Sequence, residues 1–224
     1  MKLDKLYNNI DQQGTAAIKD HQEQLDEYLL APETDFRRGL TIINSLPAHI
    51  RRNIMFCIQK LATVEPVQYF YPANDLHITV IDLIAANSKF HLSVDDREKY
   101  IEVLSQIASR VNPIHWKLKG VIASPGALLV KGYYSHELLD LRNLIRKELP
   151  ANNLVLQERY QTISGHVTFA RFTKPLQGSR QFLDALAEMK TIDLGGFTTN
   201  TLDLVVHDWY NRSPQLISKL PLRY

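Results

Sequence analysis

Apolar positions along the chain switch between helical spacing and the tighter alternation or β-branched runs of strands, and the switches outline its elements. Residues 1–35 carry Leu3, Leu6, Ile10, Ile18, Leu25 and Leu29 among many polar residues, predicting one or two amphipathic helices interrupted at Gly14 and stopped near Pro32. GLTIINSL then predicts a strand. PAHIRRNIMFCIQKLATV predicts a helix with Ile50, Ile54, Ile58 and Leu61 on one stripe and Pro47 suited to its first turn. PVQYFYP and DLHITVIDLI predict two strands separated by the turn formers Pro72, Asn74 and Asp75. SVDDREKYIEVLSQIASRV predicts a helix capped by Ser93, three positions before Asp96, with Tyr100, Ile101, Leu104 and Ile107 turned inward.

The second half repeats this theme. IHWKLKGVIAS and ALLVKGY predict a hairpin across Pro125 and Gly126, and SHELLDLRNLIRKEL predicts an amphipathic helix after Ser135. HVTFARF predicts a strand and SRQFLDALAEMK a helix. TTNTLDLVVHDW predicts one late strand, GGFTTN being a loop that leads into it, and QLISKLPL an edge strand. The recurring unit is about a hundred residues long, which is too long for a solenoid repeat and suits two similar lobes.

Composition narrows the function classes only slightly. Twenty-six basic and 24 acidic residues give a net charge of +2, which excludes a general nucleic-acid coat or membrane-surface protein but leaves room for a local basic groove. The single cysteine, Cys57, lies on an apolar helix face and reads as a buried, inert thiol compatible with a reducing compartment. The amino terminus has no uninterrupted apolar region, and no segment approaches the roughly 18 apolar residues of a membrane span. The expected location is the cytoplasm, with no membrane partner.

The chemistry lies in a motif that occurs twice. His77-Ile78-Thr79-Val80 and His166-Val167-Thr168-Phe169 begin 89 residues apart, one in each half, each in a β-like apolar run. With eight histidines in the chain, a lone H-x-T would read as a satisfied structural residue; two copies in matched settings point to a shared task. Strand alternation puts His77 and Thr79 on one face, with Ile78, Val80 and Asp82 on the other, and pairs His166 with Thr168 in the same way. An imidazole transfers protons near neutral pH and a hydroxyl donates to an anionic oxygen, so two such platforms facing each other would hold a phosphate. Opening a cyclic phosphodiester needs a base for water and an acid for the departing sugar oxygen, which two histidines supply without a metal.

The remaining histidines serve as controls. His21, His49 and His136 read as surface groups, and His91 precedes the helix cap Ser93. His115 and His207 read as fold support or second-rank neighbours of a site. The lack of an H-E-x-x-H motif or Cys/His cluster leaves a metal site weakly supported, and the lack of a glycine-rich phosphate loop removes the common nucleotide-loop readings.

With these motifs the sequence resembles the two-histidine phosphoesterases, the superfamily of the LigT-like RNA 2',3'-cyclic phosphodiesterases, historically called 2'-5' RNA ligases. GLTIINSLPAHIRRNI is similar to the opening strand, Leu-Pro turn and helix of that superfamily, and PANDLHITVIDL to its lead into the first motif. The resemblance covers residues 36–224 as one bilobal domain and leaves 1–35 as an N-terminal helical extension. It implies an α+β, bilobal, pseudo-symmetric two-histidine phosphoesterase fold, with antiparallel sheets forming a central cleft and helices outside. It also implies no cofactor, one histidine as general base and the other as general acid, and Thr79 and Thr168 on the phosphate. Two departures stand out. Gly165 occupies the place of a proline found in many relatives, which would loosen the lead into the second motif. Arg171, a candidate substrate contact, falls by simple alternation on the face opposite His166.

The implied activity is metal-independent hydrolysis of 2',3'-cyclic phosphates on RNA ends or small cyclic nucleotides by a monomer, with 2'-5' RNA ligase activity alongside it. The alternative is a non-catalytic module binding a phosphate or RNA end in the same cleft. Tyr69, Tyr71, Trp116, Tyr133 and Tyr160 are candidate base-stacking rings. Arg37, Arg38, Arg51, Arg52, Lys117 and Lys119 are candidate phosphate attractors.

Overall fold

The computed structural model describes residues 2–223. In chain order the elements are α1 (Lys2–Lys19), two 3-10 turns (Glu27–Leu29 and Pro32–Thr34), β1 (Arg38–Ser45), α2 (Ala48–Ala62), β2 (Tyr69–Phe70), β3 (His77–Asn87), α3 (Val94–Ala108), β4 (Ile114–Ser124) and β5 (Ala127–Tyr134). They continue with α4 (Glu137–Ala151), β6 (Val167–Arg171), α5 (Ser179–Glu188), β7 (Asp193–Thr199), β8 (Thr201–His207) and β9 (Gln215–Pro221). The strands form two antiparallel sheets, ordered β3-β1-β8-β9 and β2-β6-β5-β4-β7.

Helices are exchanged between the two halves. The helix that follows β1, α2, packs on β7 and β6 of the second sheet, whereas α4, which follows β5, packs on β3 of the first. The stripe Ile50, Ile54, Cys57, Ile58 and Leu61 of α2 is buried, and burial pushes the Cys57 thiol up to about 11. Ser93 caps α3 by accepting from the backbone N–H of Asp96 at 3.0 Å. One continuous apolar cluster joins both halves. No helix among the described residues is long and apolar enough to cross a membrane.

Three expectations about elements are corrected. Helix α1 runs through Gly14 without interruption, and glycine is needed there for approach: a Cβ would lie 2.3 Å from the carbonyl oxygen of Ala123 on β4. The helix instead stops at Lys19, well before Pro32, and His21 follows in a left-handed conformation. The late strand is two strands in different sheets, and the GGFTT of GGFTTN belongs to β7 rather than to a loop. The chain crosses between sheets at Asn200, where Thr199 accepts from Trp116 Nε1 on β4 and donates to Asn44 Oδ1 on β1, each at 3.0 Å. A hydrophobicity pattern cannot show such a break, because both strands keep their apolar residues facing the same core. PVQYFYP contracts to the two residues of β2.

Candidate active site

Both H-x-T motifs lie where the two sheets meet. β3 is the edge of the first sheet, β6 is second from the edge of the other, and the two strands lie against each other. Between them is a chamber of about 120 Å³ lined by His77, Thr79, His166 and Thr168. Neither threonine hydroxyl has a protein partner among the described residues, so both remain available to a ligand.

Each imidazole is held through Nδ1 by the residue two positions earlier. His77 Nδ1–H donates to the Asp75 carbonyl at 2.8 Å, which leaves Nε2 as its basic nitrogen. His166 Nδ1 lies 2.8 Å from Ser164 Oγ. Burial holds both rings down at about 4, reinforced at His77 by His207 and at His166 by His77, Arg142 and Arg171. Asp82 is the anion that raises the His77 proton affinity; no anion does so for His166. Both imidazoles are therefore neutral at physiological pH.

Strict alternation fails in both motifs, and in the same way. Where β1 pairs with β3, the register shifts by one residue between Ile43↔Thr79 and Ile42↔Ile81, leaving Val80 unpaired. Where β5 pairs with β6, it shifts between Leu129↔Thr168 and Leu128↔Ala170, leaving Phe169 unpaired. One extra residue reverses the facing of everything after it. Asp82 and Arg171, each three residues beyond its threonine, consequently join the chamber wall instead of facing away from it. Thr41 Oγ1 donates to Asp82 at 3.0 Å, while burial pushes the carboxyl up. Arg171 donates from Nε to the Tyr71 hydroxyl at 3.0 Å and pairs with Asp26 at 3.5 Å. The matched shifts extend the internal symmetry to H-x-T-x-x-D in one half and H-x-T-x-x-R in the other.

Two residues outside the motifs support the site. Arg142, fully buried on α4, donates to the carbonyls of Val80 (2.7 Å) and Thr79 (3.4 Å) in the first motif and to those of Ile163 (3.0 Å) and Ser164 (2.8 Å) before the second. Its planar fork thereby fastens the two motifs to each other. Burial lowers it to about 10, still protonated at neutral pH. The signal was available: Arg142 interrupts the apolar stripe of Leu138, Leu141, Ile145 and Leu149. Asn211 is the second, buried with φ 62°. It donates to the Asp75 carbonyl at 3.3 Å and accepts from His207 Nδ1–H at 3.0 Å, fixing His207 against His77 with ring centroids 5.8 Å apart. His207 thus forms part of the chamber wall.

The lead into the second motif is tied down rather than loosened. Tyr7 of α1 donates to the Gly132 carbonyl at 2.8 Å and accepts from the Gly165 N–H at 3.1 Å, a bond that a proline could not make. Among the candidate stacking rings, Tyr160 and Tyr71 line the chamber; Trp116 is buried in the second sheet, and Tyr69 and Tyr133 lie elsewhere. Of the candidate basic residues, Arg37 borders the adjoining groove, while Arg51 and Arg52 line a separate depression beside Asn74. Among the described residues no group of three or more His, Cys, Asp or Glu side chains is arranged to hold a metal ion.

No protein-family model matches the sequence, and neither does any curated protein. Solved structures do match the fold. LigT of E. coli complexed with 3'-AMP aligns with a TM-score of 0.57 at 14% identity, covering 84% of this chain and 99% of that one. A structure described as a phosphoesterase aligns at 0.55 and 18%, covering 85% and 99%. A conserved protein of unknown function from Agrobacterium tumefaciens aligns at 0.59 and 12%, covering 94% and 99%. The chain therefore has the LigT-like two-histidine phosphoesterase fold.

Proposed function

We propose that the chain is a metal-independent cyclic phosphodiesterase that hydrolyses 2',3'-cyclic phosphates of RNA ends or nucleotides, with Thr79, Thr168 and Arg171 on the phosphate and His77 and His166 as the proton-transfer pair. The observation that carries this reading is the convergence of both H-x-T motifs on one small chamber, with both threonine hydroxyls unengaged. E. coli LigT, which shares the fold, has been seen with 3'-AMP and with phosphate. A phosphomonoester of that kind is the product expected here.

In the reaction, water adds to phosphorus while the base removes its proton, and the bond to one ribose oxygen breaks as the acid protonates that oxygen. His77 has Asp82 beside it, an anion that favours its protonated form, which suits the acid. His166 faces Arg142 and Arg171 and suits the base. The anionic substrate supplies the field that charges the acid, since burial alone keeps both rings neutral. With a 5'-hydroxyl in place of water as the nucleophile and the 3'-oxygen as the leaving group, the same two proton transfers would yield a 2'-5' linkage.

Phosphorus NMR on a 2',3'-cyclic nucleotide in the presence of chelator tests the proposal. Turnover should persist in chelator and fall by ~10²–10⁴ in His77→Ala and in His166→Ala, the usual contribution of a positioned acid or base. Undiminished turnover in either variant refutes it. The neutral state of both rings favours one second reading, a module that binds phosphate ends without turnover; affinity with no product would identify it.

A further inference from the structure

The chamber that holds both H-x-T motifs has a volume of about 120 Å³. It suits a phosphate and its attacking water. Across His166, Thr168, Arg171, Arg159, Tyr160 and Trp209 it opens into a groove of about 680 Å³, more than five times as large. α1 and the segment after it form one wall of this groove, through Leu6, Ile10, Leu25 and Tyr28.

Aromatic rings and guanidinium groups alternate along the groove. The Arg37 guanidinium lies 3.8 Å from the centroid of the Tyr28 ring and 5.2 Å from that of Trp209. Arg159 lies 4.5 Å from Trp209 and 5.2 Å from Tyr160. The end rings of this ladder are open to solvent, Tyr28 at 46% and Tyr160 at 57% exposure. Charges are apportioned unequally. Asp35 neutralises Arg37 through two hydrogen bonds, so Arg37 serves as a flat stacking surface. Arg159 makes no hydrogen bond or ion pair among the described residues, which leaves a cation for a backbone phosphate. Asp26, a half-buried acid of the groove, is taken up by Arg171 and Tyr210.

From this arrangement we infer that the groove is a stacking subsite for a second nucleoside, and that the preferred substrate is the end of a single-stranded oligonucleotide rather than a free mononucleotide. This rests on the inner chamber being the phosphate site. Rings and guanidinium planes receive any base on its face, so the subsite tolerates sequence. A nucleotide end uses this ladder better than a peptide does, because each base has a flat face for the rings and guanidinium planes and its backbone has an anion for Arg159.

The test compares a dinucleotide ending in a 2',3'-cyclic phosphate with the cyclic mononucleotide, as kcat/KM, and compares the matching 3'-phosphates as Kd by calorimetry. The dinucleotide should be favoured roughly tenfold or more, the stacking of one base being worth ~1–3 kcal/mol. That ratio should collapse in Tyr28→Ala, return in Tyr28→Phe and fall with added salt. Equal values for the two ligands, an unchanged ratio in Tyr28→Ala, or tighter binding of a phosphopeptide overturns the inference. If neither cyclic compound is turned over, the proposed reaction fails, while the Kd ratio still decides the groove.

Discussion

Acidification should weaken this fold in a way that depends on the two motif histidines. Each imidazole ordinarily titrates near 6.5 and is held at about 4 by burial in the folded chamber. Below the ordinary value the unfolded chain takes up protons that the folded one refuses, so stability declines as pH falls from about 6.5 towards 4. At about pH 5 the difference is about 2 kcal/mol per imidazole, or about 4 kcal/mol for the pair. That is a large share of the ~5–15 kcal/mol by which native proteins are stable. In a chain of this size it corresponds to a fall in Tm of about 10 °C between roughly pH 7.5 and pH 5. The assay is thermal unfolding of the wild type and of the His77→Gln, His166→Gln double variant at both pH values. The wild type should lose about 10 °C more than the variant. Inorganic phosphate should restore much of that loss, because an anion between the rings stabilises the imidazolium forms. An equal fall in both proteins would show that the rings are not held neutral, and the reasoning would fail.

Two further outcomes test how the site is held together. Arg142→Leu should cost about 2–5 kcal/mol in chemical denaturation, since it strands buried carbonyls of both motifs, and Arg142→Lys should recover only part of this because an ammonium lacks the planar fork; a loss under about 1 kcal/mol would show that the clamp is dispensable. Tyr7→Phe keeps the ring but removes the hydroxyl that joins Gly132 and Gly165, and should cost about 1–3 kcal/mol. Hydrogen exchange around Gly165 should quicken in that variant, and unaltered exchange there would contradict the role given to α1.

Several features were legible in the sequence because local chemistry sets them. The amphipathic helices follow from apolar spacing, the start of α3 from Ser93 and Asp96, and the strand setting of the two histidines from β-branched neighbours. The pairing of each histidine with its threonine on one face follows from alternation over two residues, too short a span for a register shift to intervene. Gly14 misled, since glycine weakens an isolated helix, yet here the missing side chain lets α1 approach β4.

What the tertiary structure alone decided begins one residue beyond each threonine. Val80 and Phe169 drop out of the pairing, and that single step turns Asp82 and Arg171 into the chamber; the hydrogen bonds of neighbouring strands settle it, and no pattern within β3 or β6 encodes it. The same holds for Trp209 and Tyr28, distant in the chain yet bordering one groove, and for the crossing at Asn200 that divides a continuous run between two sheets. Sequence supplied the reacting groups and their local facing. Long-range pairing and burial determined which groups share a chamber, because contacts between distant segments exist only once the chain is closed on itself.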